Sequence, residues 1–350
     1  MRWFISLALL LIGFGATCPA LAAPEVKLPA PLAQLQAPPA ERVELGRMLF
    51  FDRRLSGDGT MSCAVCHDPQ RAYGDGRALS GAYPTTRHWR HTQSLINVAY
   101  LHTFLWDGRS ESLEQQAEGP IHSSFEMNLH LDFMVEKLRE TPGYPELFRQ
   151  AYDSEITRAS IASALADFQR SLIVRDSPFD LYLKGNPDAL SNAARSGMAL
   201  FYGKANCHRC HSGSLLSDQK FHNTGVGETE ELRKDTQRRA ARHFFQVQMG
   251  LERSDRDPGR YAVTHNPEDL GAFRTPPLRQ VADTAPYMHN GSIATLEAVI
   301  AFYNRGGGED PDKSRLLQPL ELTAEEKADL LAFLTSLSGT VPVVGPPVLP

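Results

Sequence analysis

The sequence predicts a mainly α-helical chain in two similar halves, loop-rich and with little β-structure. Three observations predict it. Apolar residues recur at helical spacing through several long segments. Strand signals are few and short. The pattern C-x-x-C-H occurs twice, each time soon after a helical stretch. The 350 residues, 42% hydrophobic and 22% charged, have globular composition and are long enough for about two domains. That excludes a disordered or collagen-like chain. A formal charge of -5 lacks the basic field that nucleic-acid binding needs, so nucleic acid is set aside as a partner.

Residues 1–22 read as a cleaved export signal. Arg2 supplies the positive start, Trp3 to Phe14 an apolar run, and Ala20-Leu21-Ala22 a small-x-small cleavage site. The apolar run is short for a transmembrane helix, and an uncleaved anchor is the alternative. Cys18 is lost on cleavage. Residues 24–40, rich in Pro and Ala, form an extended lead-in. Val43, Leu45, Met48 and Leu49 have helical spacing ahead of the first cysteine pair. Helices are expected over Leu131–Ala151 and Ile156–Ile173, and over Asn192–Tyr202 ahead of the second pair. Thr323 and Glu326 make a capping box. The helix it opens has Leu330, Leu331, Phe333, Leu334 and Leu337 as its apolar stripe and Gly339 as its stop. The charge-dense run Glu228 to Arg242 reads as a solvated helix or loop. Ser-Pro and Gly-Asn-Pro-Asp signals around 176–190 place a junction there, giving domains 23–180 and 181–345.

The two motifs are Cys63-Ala64-Val65-Cys66-His67 and Cys207-His208-Arg209-Cys210-His211. Each is the signature of covalent c-type haem attachment. Two thiols on one turn add to the haem vinyl groups, and the adjacent histidine presents its imidazole to the iron. A zinc site would place its two pairs about 15–20 residues apart, and these are separated by most of a domain. A thioredoxin-like pair would lack the repetition and the trailing histidines. Two ordinary disulfides would be tight across a two-residue gap. The motifs therefore point to two covalent haems, with His67 and His211 as axial ligands.

An ordered series of further motifs accompanies them. Phe50-Phe51-Asp52 precedes the first motif, and Trp106-Asp107-Gly108-Arg109 leads to Gln116, Pro120 and Glu126-Met127. Phe221-His222-Asn223-Thr224-Gly225 follows the second motif. Phe273-Arg274-Thr275-Pro276-Pro277-Leu278-Arg279 leads to Pro286-Tyr287-Met288-His289-Asn290-Gly291. In these the chain resembles the bacterial di-haem cytochrome c peroxidase superfamily, in its MauG/MbnH-like branch. The resemblance implies two cytochrome c-like domains in the periplasm. Their N-terminal haem meets peroxide and their C-terminal haem exchanges electrons. It implies that Glu126 moves the peroxide proton, that Gln116 and Pro120 shape the distal pocket, and that Trp106 lies between the haems.

Peroxidases that draw on small cytochromes usually place a methionine fourteen residues after the histidine of Pro-Tyr-x-His; here that count from His289 reaches Tyr303. Leu296, Val299, Ile300 and Tyr303 share one helix face, so Tyr303 points inward. A core tyrosine satisfies that pattern. The resemblance supports an axial ligand, since MauG carries tyrosine at the matching place. Met288 and Met249 are the other ligand candidates. The resemblance also implies a calcium ion between the domains on the carbonyls of Thr284 and Pro286. His91 stands where the family has asparagine, and neutral imidazole is a poor ligand for hard calcium. The loop from Gly74 to Thr92 is short, and neither His88 nor His91 has the offset of a histidine that blocks the first haem. That leaves its far side open. Three functions follow: peroxide-driven oxidation of a partner protein through a high-valent state shared by both haems; reduction of peroxide with electrons from a small cytochrome or cupredoxin; and non-enzymatic electron transfer. Tyr303 favours the first, and Glu126, Gln116 and Pro120 oppose the third.

Overall fold

Gly46 and Gly197 mark the two helix crossings around which each half is built. The computed structural model describes residues 28–84 and 86–350, so the expected export signal lies outside the described residues. In the first half, the helix Ala40–Phe51 crosses the helix Arg158–Ser171. A Cβ on Gly46 would sit 1.9 Å from the carbonyl oxygen of Ala164. In the second half, Asn192–Tyr202 crosses Ala324–Thr335, and a Cβ on Gly197 would sit 1.9 Å from the carbonyl oxygen of Asp329. Glycine inside a helix costs about 0.5–1 kcal/mol relative to alanine. Here it lets two backbones meet at a distance no other residue permits.

Two apolar cores follow from these crossings. The first gathers Leu45, Leu49, Phe50, Ile121, Phe148, Leu165 and Phe168, among others, and ends at Val174. The second begins at Phe179 and gathers Phe201, Ile300, Leu330 and Phe333. A smaller cluster of Leu79, Trp89, Leu232, Phe245 and Ala262 draws on both parts of the chain. The tail does not stay with the second core. Val341 and Val344 pack on the first, and the Tyr73 hydroxyl donates to the carbonyl of Pro342 at 2.8 Å. The expected second domain thus includes, at its end, residues that pack on the first core. Among the described residues, strand is confined to a two-residue antiparallel pair, Phe221–His222 with Phe273–Arg274.

The structure departs from the sequence expectations in three places. The expected helix over 131–151 is two, Leu131–Arg139 and Tyr144–Tyr152. Pro142 lacks the N–H that would continue the ladder, and Gly143 takes a φ of 96°. Gly339 does not stop the last helix, which ends at Thr335. Its missing side chain instead lets the strand-like tail lie against Val174 and Ser177. The run 228–242 is not simply solvated: Arg242 is fully buried and pairs with Glu228 at 2.7 Å.

Candidate active site

Each C-x-x-C-H motif folds as one tight turn. Cys63–Cys66 is a single helical turn, Cys207–Arg209 a 3-10 turn. In both, the histidine amide donates to the carbonyl of the first cysteine, at 2.9 Å for His67 and 2.9 Å for His211. In the first motif both thiols and the imidazole line one cleft. The rings are oriented alike. Nδ1 of His67 lies 2.9 Å from the Tyr73 carbonyl oxygen, and Nδ1 of His211 lies 3.0 Å from that of Leu216. A carbonyl only accepts, so Nδ1 carries the proton and Nε2 keeps its lone pair for iron. Burial lowers both histidines, His211 to about 4, so both rings are neutral and able to ligate.

Beside the first motif lies a cleft. Cys63, Cys66 and His67 line it, as do Trp106, Gln116, Pro120 and Glu126. All four expected catalytic residues therefore share one space with the first motif. Gln116 and Pro120 lie four residues apart in the helix Leu113–His122, whose Ser112 cap accepts from the Gln115 amide. Pro120 has no N–H, so the carbonyl of Gln116 is left out of the helix ladder. Glu126 follows in a turn pinned on both sides. The Tyr83 amide donates to the carbonyl of Phe125 at 2.9 Å, and the Gly57 amide to that of Met127 at 2.8 Å. The Glu126 side chain remains 30% exposed.

Trp106 sits at the seam between the halves. Its indole N–H donates to the His91 carbonyl, and its own carbonyl accepts from the Arg274 amide at 2.8 Å. The next residue, Asp107, belongs to a buried network. Arg90 reaches Asp107 at 2.6 Å and Asp257 at 2.7 Å, and Arg109 also pairs with Asp107. Burial pushes the Asp257 carboxyl up, but Arg90 by its charge and hydrogen bonds, together with His289 and the Gly259 amide, more than offsets this, leaving the carboxyl well below its ordinary value.

Tyr303 lies in the last turn of the helix Leu296–Asn304. Burial pushes its hydroxyl well above the ordinary value, and the neighbouring Cys207 and Cys210 thiols push it further. Tyr303 thus lies within electrostatic range of the second motif's thiols. Met249 packs instead against the Trp89 cluster.

Two buried guanidiniums test whether these pockets suit haem. Arg274 lines the first cleft, and burial lowers it to about 10; its Nη1 has no partner among the described residues. Nε of Arg279 donates to the carbonyl of Ser214, just past the second motif, and its Nη2 is likewise without a partner among them. A buried cation with an unused N–H suits an anionic group such as a haem propionate. The residues fit two haems, held by Cys63 and Cys66 with His67, and by Cys207 and Cys210 with His211.

The calcium expectation fares differently. Thr284 and His91 line a second cavity, but Pro286 does not. Nδ1 of His91 lies 2.7 Å from the Arg77 carbonyl oxygen, so the ring is a donor in that place. A donor imidazole occupying the asparagine position does not fit a hard cation, and no chemistry is assigned to calcium.

His88, Arg90 and Arg274 were missed as site residues. The cluster His88-Trp89-Arg90 within a loop was the available signal, since aromatic and charged residues seldom fill a loop without packing against something.

A family profile described as di-haem cytochrome c peroxidase matches residues 40–188, and one described as RoxA-like, cytochrome c-like matches residues 272–306. The chain is 42% identical to the cytochrome-c peroxidase IdrP1 of Denitromonas iodatirespirans, over 96% of this chain and 94% of that protein. It is 37% identical to the methylamine utilization protein MauG of Methylorubrum extorquens, over 89% and 82%. Among solved structures, a MauG-like protein associated with microbial copper homeostasis superposes with a TM-score of 0.76 at 32% identity, covering 94% of this chain and 99% of that one. Paired motifs, a shared cleft and near full-length similarity lead to one conclusion: the chain belongs to the di-haem cytochrome c peroxidase family, oxidoreductases with two covalently bound haems.

Proposed function

We propose that this protein uses peroxide to oxidise residues of a partner protein, with Tyr303 as a residue that would hold the iron of the second haem. Tyr303 on the inward side of its helix, within electrostatic range of Cys207 and Cys210, is what supports this reading. Haems held by Cys63 and Cys66 with His67, and by Cys207 and Cys210 with His211, would supply the two-electron redox chemistry that peroxide reduction and partner oxidation need. A phenolate oxygen favours the higher oxidation states of iron, whereas methionine raises the potential and favours the reduced state.

The chain's own groups divide the remaining work. Glu126 takes a proton from one peroxide oxygen and returns it to the other. Gln116 and Pro120 shape the space in which peroxide lies, and the neutral rings of His67 and His211 present Nε2. Trp106, tied to both halves, is the oxidisable ring between them. No helix among the described residues is long and apolar enough to cross a membrane. Export through the segment 1–22 to the periplasm is part of the proposal, as is the division into domains 23–180 and 181–345.

One equivalent of peroxide added to the diferric protein tests the shared oxidation. Both irons should change their Mössbauer signature; a change at one iron, or at none, removes it. A second reading has an observation of its own. Relatives 38–42% identical are named cytochrome-c peroxidases, which favours reduction of peroxide by a small electron-donor protein. Fast turnover of a reduced small cytochrome would select that reading.

A further inference from the structure

We propose that His88 is the proton-relay partner of Glu126. This rests on the peroxidase reading above and adds to it a positioning residue that acts through the carboxylate. Three contacts fix the residue. One ring face stacks on Trp89, with centroids 4.8 Å apart and planes at 8°. Nδ1 lies 3.0 Å from the Arg90 amide nitrogen and 3.2 Å from the Arg90 carbonyl oxygen. The His88 backbone carbonyl accepts from the Arg238 guanidinium. Only Nε2 is left to act, and it faces the first cleft, 4.0 Å from Oε1 of Glu126. That is about 1 Å beyond hydrogen-bond contact. Catalytic pairs are often this long before substrate arrives.

The doubled contact at Nδ1 is what suits the ring to relay. With Nδ1 accepting from the Arg90 amide, the proton sits on Nε2 and is donated toward Glu126. With Nδ1–H donated to the Arg90 carbonyl, Nε2 can accept a proton from the protonated acid or hold one facing the carboxylate. Every state keeps the same ring orientation. The step moves one proton from Oε1 of Glu126 to Nε2 and back, and no electron moves with it.

The surroundings keep the ring neutral at rest. Burial weighs most against its charged form, Glu126 favours that form, and Arg90 and Arg109 oppose it, leaving the ring below its ordinary value. Arg238 adds positive charge at the backbone. A neutral imidazole beside the carboxylate is an acceptor ready for use.

The test uses the di-haem holoprotein and two variants that cannot titrate. His88→Gln places an amide near the position of Nε2; His88→Asn keeps an acceptor for the Arg90 amide and nothing beyond it. The second-order rate constant for peroxide with diferric protein is followed from acid to alkaline pH, alongside the resting optical and EPR spectra. Both variants should lose about tenfold or more in rate. One ionisation should vanish from the pH profile, and the resting spectra should stay unchanged. A pH profile identical to that of the parent protein overturns the proposal. So does a change of spin state at the first haem on substitution, which would make His88 an iron ligand. A parent protein that does not react with peroxide sinks the peroxidase reading itself. Should one variant fail to carry two haems, the other decides.

Discussion

The indole N–H of Trp106 donates to the backbone carbonyl of His91 at 2.9 Å. The His91 amide in turn donates to the His289 carbonyl at 2.7 Å. The ring is thus held by main chain that runs directly into the second half. Trp106→Phe loses one hydrogen bond, about 1 kcal/mol, and should retain fold and both haems. Electron exchange between the haems should slow, as measured after rapid one-electron reduction. An unchanged exchange rate would leave Trp106 a packing residue.

Glu126 lines the first cleft together with His67. Glu126→Gln keeps the shape and removes the proton acceptor. The rate of reaction with peroxide should fall by about 10²–10⁴, while pyridine-haemochrome assay still gives two haems. A loss of less than threefold would place proton transfer elsewhere.

Tyr303→Met exchanges a phenolic oxygen for a thioether at the second motif. The potential of that haem should rise, and its spectrum should change, both followed by spectroelectrochemical titration. Identical potential and spectrum would remove Tyr303 from the ligand set.

Gly197 has the Asp329 carbonyl where a Cβ would stand. Gly197→Ala should push the two helices apart and cost about 1–3 kcal/mol, seen as a lowered Tm and a lowered denaturant midpoint. Gly46→Ala should do the same to the first half, because its clash with Ala164 is equally close.

Arg90 joins Asp107 and Asp257 in the buried network. Because the Asp257 carboxyl lies below its ordinary value in the folded protein, its contribution is present above about pH 4, the unfolded value, and fades as pH falls below it. Acid titration of unfolding should show this loss in the parent protein. Arg90→Met leaves the buried Asp257 without its cation and Asp107 with Arg109 alone. It should cost about 3–5 kcal/mol at neutral pH, with stability no longer falling in the same way on acidification. Equal acid sensitivity in the two proteins would dissociate Arg90 from the effect.

How much of this was legible beforehand depended on the range of the interaction involved. The helix Asn192–Tyr202 and the Thr323–Glu326 capping box appear as expected, because periodicity and caps are local. The split at Pro142 was equally local and was overlooked, since the apolar spacing runs through it. Gly46 and Gly197 gave no signal of their own. A glycine's purpose at a crossing depends on a carbonyl more than a hundred residues away.

The sequence by itself determined the chemistry: two pairs of thiols each followed by a histidine, an ordered set of polar residues between them, and a tyrosine on an inward helix face. These follow from residue type and short spacing, which the chain carries wherever it folds. Tertiary structure alone decided which of these groups meet. It turned Nε2 of His88 toward Glu126, drew Arg90 between Asp107 and Asp257, left Arg274 and Arg279 with N–H groups unused among the described residues, and used His91 as a donor. Such contacts join residues far apart in the chain. Their energies come from burial and desolvation, which exist only once the two halves have closed on each other.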